Sequence, residues 1–228
     1  MKKDSKIATV ISSIMILFAV LLFIRALPYI YVWIAYGAEK DVQTEYLEKA
    51  VKYSVFPDQK AYTIEAIMPS LVLSGNFEEA IKYYEEYKKT NTDSIIKDAI
   101  AHLAGYAYLH SERYADALEI AKELNDKTFL AQIYIKIGDI DTAKVLVNEI
   151  MKENPKKIMN YRYLAEVQMC ENKWKEAEIS INKVLEFAPN NLDVLKDKVE
   201  ISKQLNKTAE YKKYSKRVKE IEYKRNYR

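Results

Sequence analysis

The sequence is poor in the residues that build active sites. Its 228 residues include one cysteine, Cys170, so no internal disulfide can form and cysteine usage does not indicate a redox compartment. The apolar helical pattern around Cys170 predicts a small buried hydrophobe rather than a reactive thiol. Four glycines in all cannot supply a glycine-rich phosphate loop, and HExxH, CxxC and GxSxG are absent. The two histidines, His102 and His110, lie eight residues apart on one predicted helix without a nearby cluster of Asp, Glu or Cys, which makes a poor metal site. The carboxylates are numerous, but on amphipathic helices they form solvated faces. The expectation is a protein with no catalytic residues, no cofactor and no metal, and not an enzyme.

What is abundant is helix-forming material. Beyond residue 38 only three glycines occur, among many Lys, Glu, Tyr, Ile and Ala, and straight-chain residues lose little rotamer freedom in a helix. The net charge of +3 divides unevenly. Residues 39–191 carry 20 basic and 26 acidic side chains, whereas residues 192–228 carry 12 basic and 6 acidic. A mildly acidic body thus has a basic end. Helical repeats that read RNA need a basic face, so no nucleic-acid partner is expected.

One long apolar run stands out. Ile7–Ile24 holds 18 residues without a charge, with only Thr9, Ser12 and Ser13 as polar interruptions. As a helix it is about 27 Å long, close to the roughly 30 Å of a bilayer core. Arg25 can extend its guanidinium to the headgroups, and Tyr29, Tyr31, Trp33 and Tyr36 suit a membrane interface. The expected layout is a cytoplasmic N-terminus at 1–6, a transmembrane helix at 7–25 and a juxtamembrane segment at 26–38. That segment is either a helical continuation or an interfacial stretch kinked near Pro28. A cleaved signal peptide is the rival reading, with Ala35-Tyr36-Gly37 as its site, but the apolar region exceeds the usual length. Lys2, Lys3 and Lys6 precede the span, so positive-inside logic puts the following domain outside the cytoplasm. Arg25 and Lys40 weaken that bias, and a cytoplasmic domain is the alternative.

Four segments align with one another: SGNFEEAIKYYEEY at 74–87, SERYADALEIAKEL at 111–124, IGDIDTAKVLVNEI at 137–150 and ENKWKEAEISINKV at 171–184. Each has a turn, a bulky apolar residue (Phe77, Tyr114, Ile140, Trp174) and an alanine three residues later (Ala80, Ala117, Ala143, Ala177). Another apolar helix precedes each turn. The pattern resembles the tetratricopeptide repeat, an antiparallel helix pair. Tyr161, Leu164, Ala165, Trp174, Ala177 and Pro189 occupy its signature positions in the fourth unit. Leu130, Ala131, Tyr134, Gly138, Ala143 and Pro155 do so in the third. The resemblance implies an all-α chain: a transmembrane helix, then an α-solenoid of antiparallel hairpins. Residues 39–60 form a leading cap helix and linker, 61–191 the four repeats, and 192–228 a degenerate basic capping hairpin. Alanine-to-alanine steps of 37, 26 and 34 predict a clipped helix in the third unit. Pro69 is expected to kink or shorten the helix that contains it.

In that family the first helix of each pair lines the binding face. The corresponding positions are Tyr62, Glu65, His102, Tyr106, Gln132, Arg162 and Glu166. This mixed set does not reproduce the Lys, Arg and Asn clamp with which some members hold a C-terminal carboxylate. The resemblance implies a membrane-tethered scaffold or adaptor for a protein or peptide partner. A non-catalytic accessory subunit of a membrane enzyme or secretion complex is the alternative. Tyr106 and Arg162 are the expected contacts, and replacing both should weaken capture while leaving stability unchanged. The basic tail, with Lys212, Lys213, Lys216 and Arg217, either caps the array or docks on an acidic surface.

Overall fold

The computed structural model describes residues 2–226, and the described chain holds twelve α-helices and no strand. In order these are α1 Lys2–Gly37, α2 Lys40–Lys52, α3 Pro57–Ser74, α4 Phe77–Lys89, α5 Lys97–His110 and α6 Tyr114–Glu123. They continue as α7 Lys127–Ile137, α8 Ile140–Glu153, α9 Asn160–Cys170, α10 Trp174–Phe187, α11 Leu192–Gln204 and α12 Thr208–Asn226. Two compact units divide the chain, one ending at Ile120 and the other beginning at Ala121, with the boundary inside α6.

Adjacent helices pack as hairpins in a solenoid-like order. In the first unit α1 packs on α2, α3 on α4, and α1, α3 and α5 touch in succession. In the second unit α7 packs on α8, α9 on α10 and α11 on α12, while α7, α9 and α11 form the same kind of first-helix layer. The repeat alanines explain the close approach. Ala80, Ala117, Ala143 and Ala177 are fully buried, because a methyl group is all that the gap between the helices of a pair can hold. In the second unit, one core joins Ala131, Ala143, Val147 and Ile150 to Tyr163 and Val167 of α9. The opposite face of α9 gives Ala165 to the next core, with Ala177, Ile181, Val184, Val194 and Ile201.

The turns are local devices. Gly75, Glu112, Gly138, Asn172 and Asn206 all have positive φ and follow α3, α5, α7, α9 and α11 respectively. At each one the next N–H reaches back to a carbonyl five residues earlier: Asn76 to Leu71 at 2.8 Å, Arg113 to Tyr108 at 2.9 Å, Asp139 to Tyr134 at 3.0 Å, Lys173 to Gln168 at 2.8 Å and Lys207 to Ser202 at 2.9 Å. This is the Schellman closure, which satisfies the last carbonyls and reverses the chain. Asp126 and Asp139 then start α7 and α8, accepting from the N–H groups of Thr128 and Phe129 and of Thr142.

Three expectations are refined by the structure. α1 runs through Pro28 as one helix, and Pro28, Val32 and Ala35 are buried. Residues 26–37 are thus helix, with one stripe packed against α2 and α3, rather than a separate interfacial stretch. Pro69 does not shorten α3, which extends for 18 residues to Ser74, because Pro69 sits on the exposed side where water can take up the freed carbonyl. The short repeat step does not come from a clipped helix in the third repeat: α7 has 11 residues, as many as α9, whereas α6 of the second repeat has 10 against 14 in α8 and is followed by a briefer link.

Candidate functional site

The first-helix layer of the first unit is aromatic. Tyr62 of α3 is exposed and its ring lies 5.1 Å from that of Tyr29 on α1. One turn further, Glu65 accepts a hydrogen bond from the hydroxyl of Tyr87 on α4 at 2.9 Å. On α5, His102, Tyr106 and His110 follow at helical spacing, and all three are exposed. Tyr106 packs its ring 4.1 Å from His110, and both contact Phe77 of α4. Behind this surface Tyr108 donates to Glu85 at 2.5 Å, and the Arg113 guanidinium covers its ring. Burial, followed by the bond to Glu65, pushes the Tyr87 hydroxyl up to about 12, and burial raises Tyr108 in the same way.

The first-helix layer of the second unit is charged. Arg162 on α9 binds Glu166 of its own helix at 2.7 Å and reaches α11 at Asp197 (3.1 Å) and Asp193 (3.8 Å). Gln132 of α7 donates to the hydroxyl of Tyr163, so α7 and α9 are joined beside this cluster. Glu166 is largely shielded from water, and burial raises its carboxyl from 4.5 to about 7, with Arg162 opposing the shift. Burial also raises Asp197 against the pull of the same arginine.

The expected positions therefore divide. Tyr62, Glu65, His102 and Tyr106 belong to the first unit, while Gln132, Arg162 and Glu166 belong to the second. Arg162 is bound into the fold, so the expectation that its loss leaves stability unchanged does not hold. Cys170 is another correction, because it is exposed rather than buried. It continues the stripe of Arg162 and Glu166 at steps of four, on the polar side of α9, and its thiol is raised by partial burial and by the Glu166 charge. Asp193 and Asp197 were missed from the sequence. Their only signal is a spacing of four on the first helix of the last pair.

The basic tail is exposed at Lys212, Lys213, Lys216 and Arg217. Its acids are engaged. Glu210 pairs at 2.9 Å with Lys198, a fully buried lysine that also binds Glu178 of α10 at 2.8 Å. Glu222 pairs with Lys196 at 2.8 Å. Arg217 reaches Asn190 at 2.7 Å, tying α12 to the α10–α11 turn.

A crystal structure of a tetratricopeptide repeat protein from Parabacteroides merdae superposes with a TM-score of 0.61 at 15% identity, covering 84% of this chain and 78% of that one. The fold is that of the tetratricopeptide repeats. MamA from Desulfovibrio magneticus follows at 0.47 and 13% identity over 72% of this chain and 94% of that one. The TPR2AB domain of yeast Sti1 in its pHSP90 complex scores 0.40 at 13% identity over 91% and 93%. These lower scores leave the first superposition to define the fold. No family model matches the chain, and no curated protein does.

Proposed function

We propose that this tetratricopeptide-like chain is a membrane-tethered, non-catalytic scaffold that holds a protein or peptide partner and promotes assembly at the membrane. The observation that carries this reading is the coexistence of two surfaces on one chain. Residues 11–26 of α1 are exposed on every side, and by length and composition Ile11–Gly37 can cross a bilayer. The first helices of the first unit's hairpins present exposed side chains at Tyr62, His102 and Tyr106. Tethering such a surface raises the effective concentration of whatever it binds. Tyrosine suits that role because it covers a large area with one polar handle and little entropy cost.

On this reading the partner contacts Tyr62, His102 and Tyr106, and in the second unit Gln132 and the rim of the Arg162–Glu166 cluster. The tail caps α11. On the same reading the N-terminus is cytoplasmic and the repeats lie outside, an orientation supported by the lysines that precede the span.

A photo-crosslinking residue at Tyr106 should trap one defined partner from membranes, while the same residue at Val145, exposed on the second helix α8, should not. Tyr106→Ala should weaken capture at least tenfold, about 1.4 kcal/mol. Charge reversal at Lys212, Lys213 and Lys216 should leave capture intact. The opposite pattern would move recognition to the tail. Protease added outside intact cells should remove the repeats, and protection until lysis would reverse the orientation.

A further inference from the structure

Arg25 marks the level at which α1 stops being exposed on every side. Its guanidinium makes two bonds to Asp58 at the start of α3, at 3.1 and 2.6 Å, and lies 4.7 Å over the ring of Phe56. Its backbone carbonyl accepts from Nε2 of Gln59 at 2.7 Å. Gln59 is fully buried, and its Oε1 accepts the N–H groups of Val55 and Phe56, each at 3.1 Å. Tyr53, at the other end of the loop, stacks on Tyr31 of α1 at 5.5 Å. The loop joining α2 to α3 is thus pinned to α1 at the foot of its exposed apolar stretch.

This loop is itself apolar and uncovered. Val55 is 69% exposed and Phe56 38%. The neighbouring end of α4 lies beside it, since Lys89 and Thr90 share a surface hollow with Val55, Phe56 and Pro57. Both helices that run toward this end finish in exposed lysines, Lys52 and Lys89.

We propose that the α2–α3 loop is a second membrane contact: Val55 and Phe56 enter the headgroup layer of the bilayer that α1 crosses, with Lys52 and Lys89 over anionic lipid. The proposal rests on reading α1 as a membrane span. If it is one, Arg25 with its bound Asp58 lies at the end of the hydrocarbon, because a charge on an apolar helix stays near the headgroups. Any group in contact with Arg25 then sits in the interfacial layer, roughly 5–7 Å deep on each side. Aromatic rings and lysines favour that layer, the lysines through attraction to acidic headgroups. A lone helix lets the attached domain swivel about its axis. A helix and a pinned loop together fix which face of the repeats is turned from the membrane.

The test uses the full chain with Cys170→Ser and one new cysteine at a time, at Val20, Val55 or Leu73, each carrying an environment-sensitive fluorophore. The proteins are placed in vesicles of phosphatidylcholine and phosphatidylglycerol containing lipids with a nitroxide at shallow or deep positions. Val20 should be quenched most by the deep nitroxide and Val55 most by the shallow one. Leu73 is equally exposed at 72% but lies about 24 Å along α3 from Pro57, and should not be quenched. Quenching at Val20 without quenching at Val55 overturns the second contact and leaves the span standing. An unquenched Val20 overturns both. Shielding of Val55 from aqueous iodide without lipid quenching would mean that protein covers the loop, which also overturns the proposal.

Discussion

The two units repeat one hairpin but tie their helices together with a different balance of chemistry. In the first, tyrosine hydroxyls join helices, Tyr87 to Glu65 within the α3–α4 hairpin and Tyr108 to Glu85 between hairpins, beside the Arg25–Asp58 ion pair between α1 and α3. In the second, ion pairs do it, through Arg162 with three carboxylates and Lys198 with two. The backbone repeat depends on the alanines and the turns, which are common to both. The joining groups are free to differ, and they set how each unit answers to charge. A hydroxyl–carboxylate bond keeps its donor across ordinary pH, whereas a shielded carboxylate cluster must take up or release protons.

The largest effect expected is from Arg162→Ala. It leaves Glu166, Asp193 and Asp197 without their shared cation, two of them largely shielded from water, and should cost about 3 kcal/mol in chemical denaturation. The tyrosine bonds of the first unit offer no equivalent, because losing one removes a hydroxyl and no shared cation. A smaller loss would mean that protonation of Glu166 relieves the cluster.

The next effect tests that relief. The carboxyl of Glu166 is raised when folded, to about 7 from 4.5. The folded state therefore holds a proton that the unfolded chain has released, and stability contributed by this group falls as pH rises between those values. The contribution is full below about 4.5 and gone above about 7. Glu166→Gln should flatten this part of the profile by on the order of 2 kcal/mol. Denaturation midpoints of the two proteins from pH 4 to 8 give the answer, and parallel profiles would sink it.

Tyr108→Phe should cost about 1 kcal/mol, the usual worth of one hydrogen bond, and the loss should be nearly independent of added salt. A strong salt dependence would erase the contrast between the units. The smallest change expected is a gain. Glu112 is the one turn residue among the five hairpin turns that is neither Gly nor Asn, and it holds φ at 58°. Glu112→Gly should raise stability by about 0.5 kcal/mol, since glycine carries no Cβ penalty there. Thermal unfolding with and without the substitution measures it.

What could be read from the sequence was what depends on near neighbours. Ala80 and Ala177, with the turns at Gly75 and Asn172, gave the hairpins because a left-handed residue and a methyl-sized contact are local requirements. The second half of α1 was harder. Pro28, Val32 and Ala35 do lie on one stripe, but every neighbour is apolar as well, so no face stands out. The sequence pattern marks Arg162 as an expected inner-face position and carries no sign of its ion pairs. Its partners Asp193 and Asp197 lie more than 30 residues away, and only the stacking of α9 on α11 brings them to it. Apolar neighbours at Val167 and Met169 hide the alignment of the exposed Cys170 with Arg162 and Glu166.

Gly138 and Asn172 occupy equivalent backbone positions 34 residues apart, each two residues before a bulky side chain (Ile140, Trp174) and five before an alanine (Ala143, Ala177). Joining Gly138 directly to Lys173 would delete α8 and α9 and seat α10 after α7 through the same reversal of the chain. Inserting a second copy of that segment would work by the same junction. Copy number can thus change by whole hairpins through unequal recombination, with no new loop to invent, and a binding surface of this kind can be lengthened or trimmed in a single genetic step.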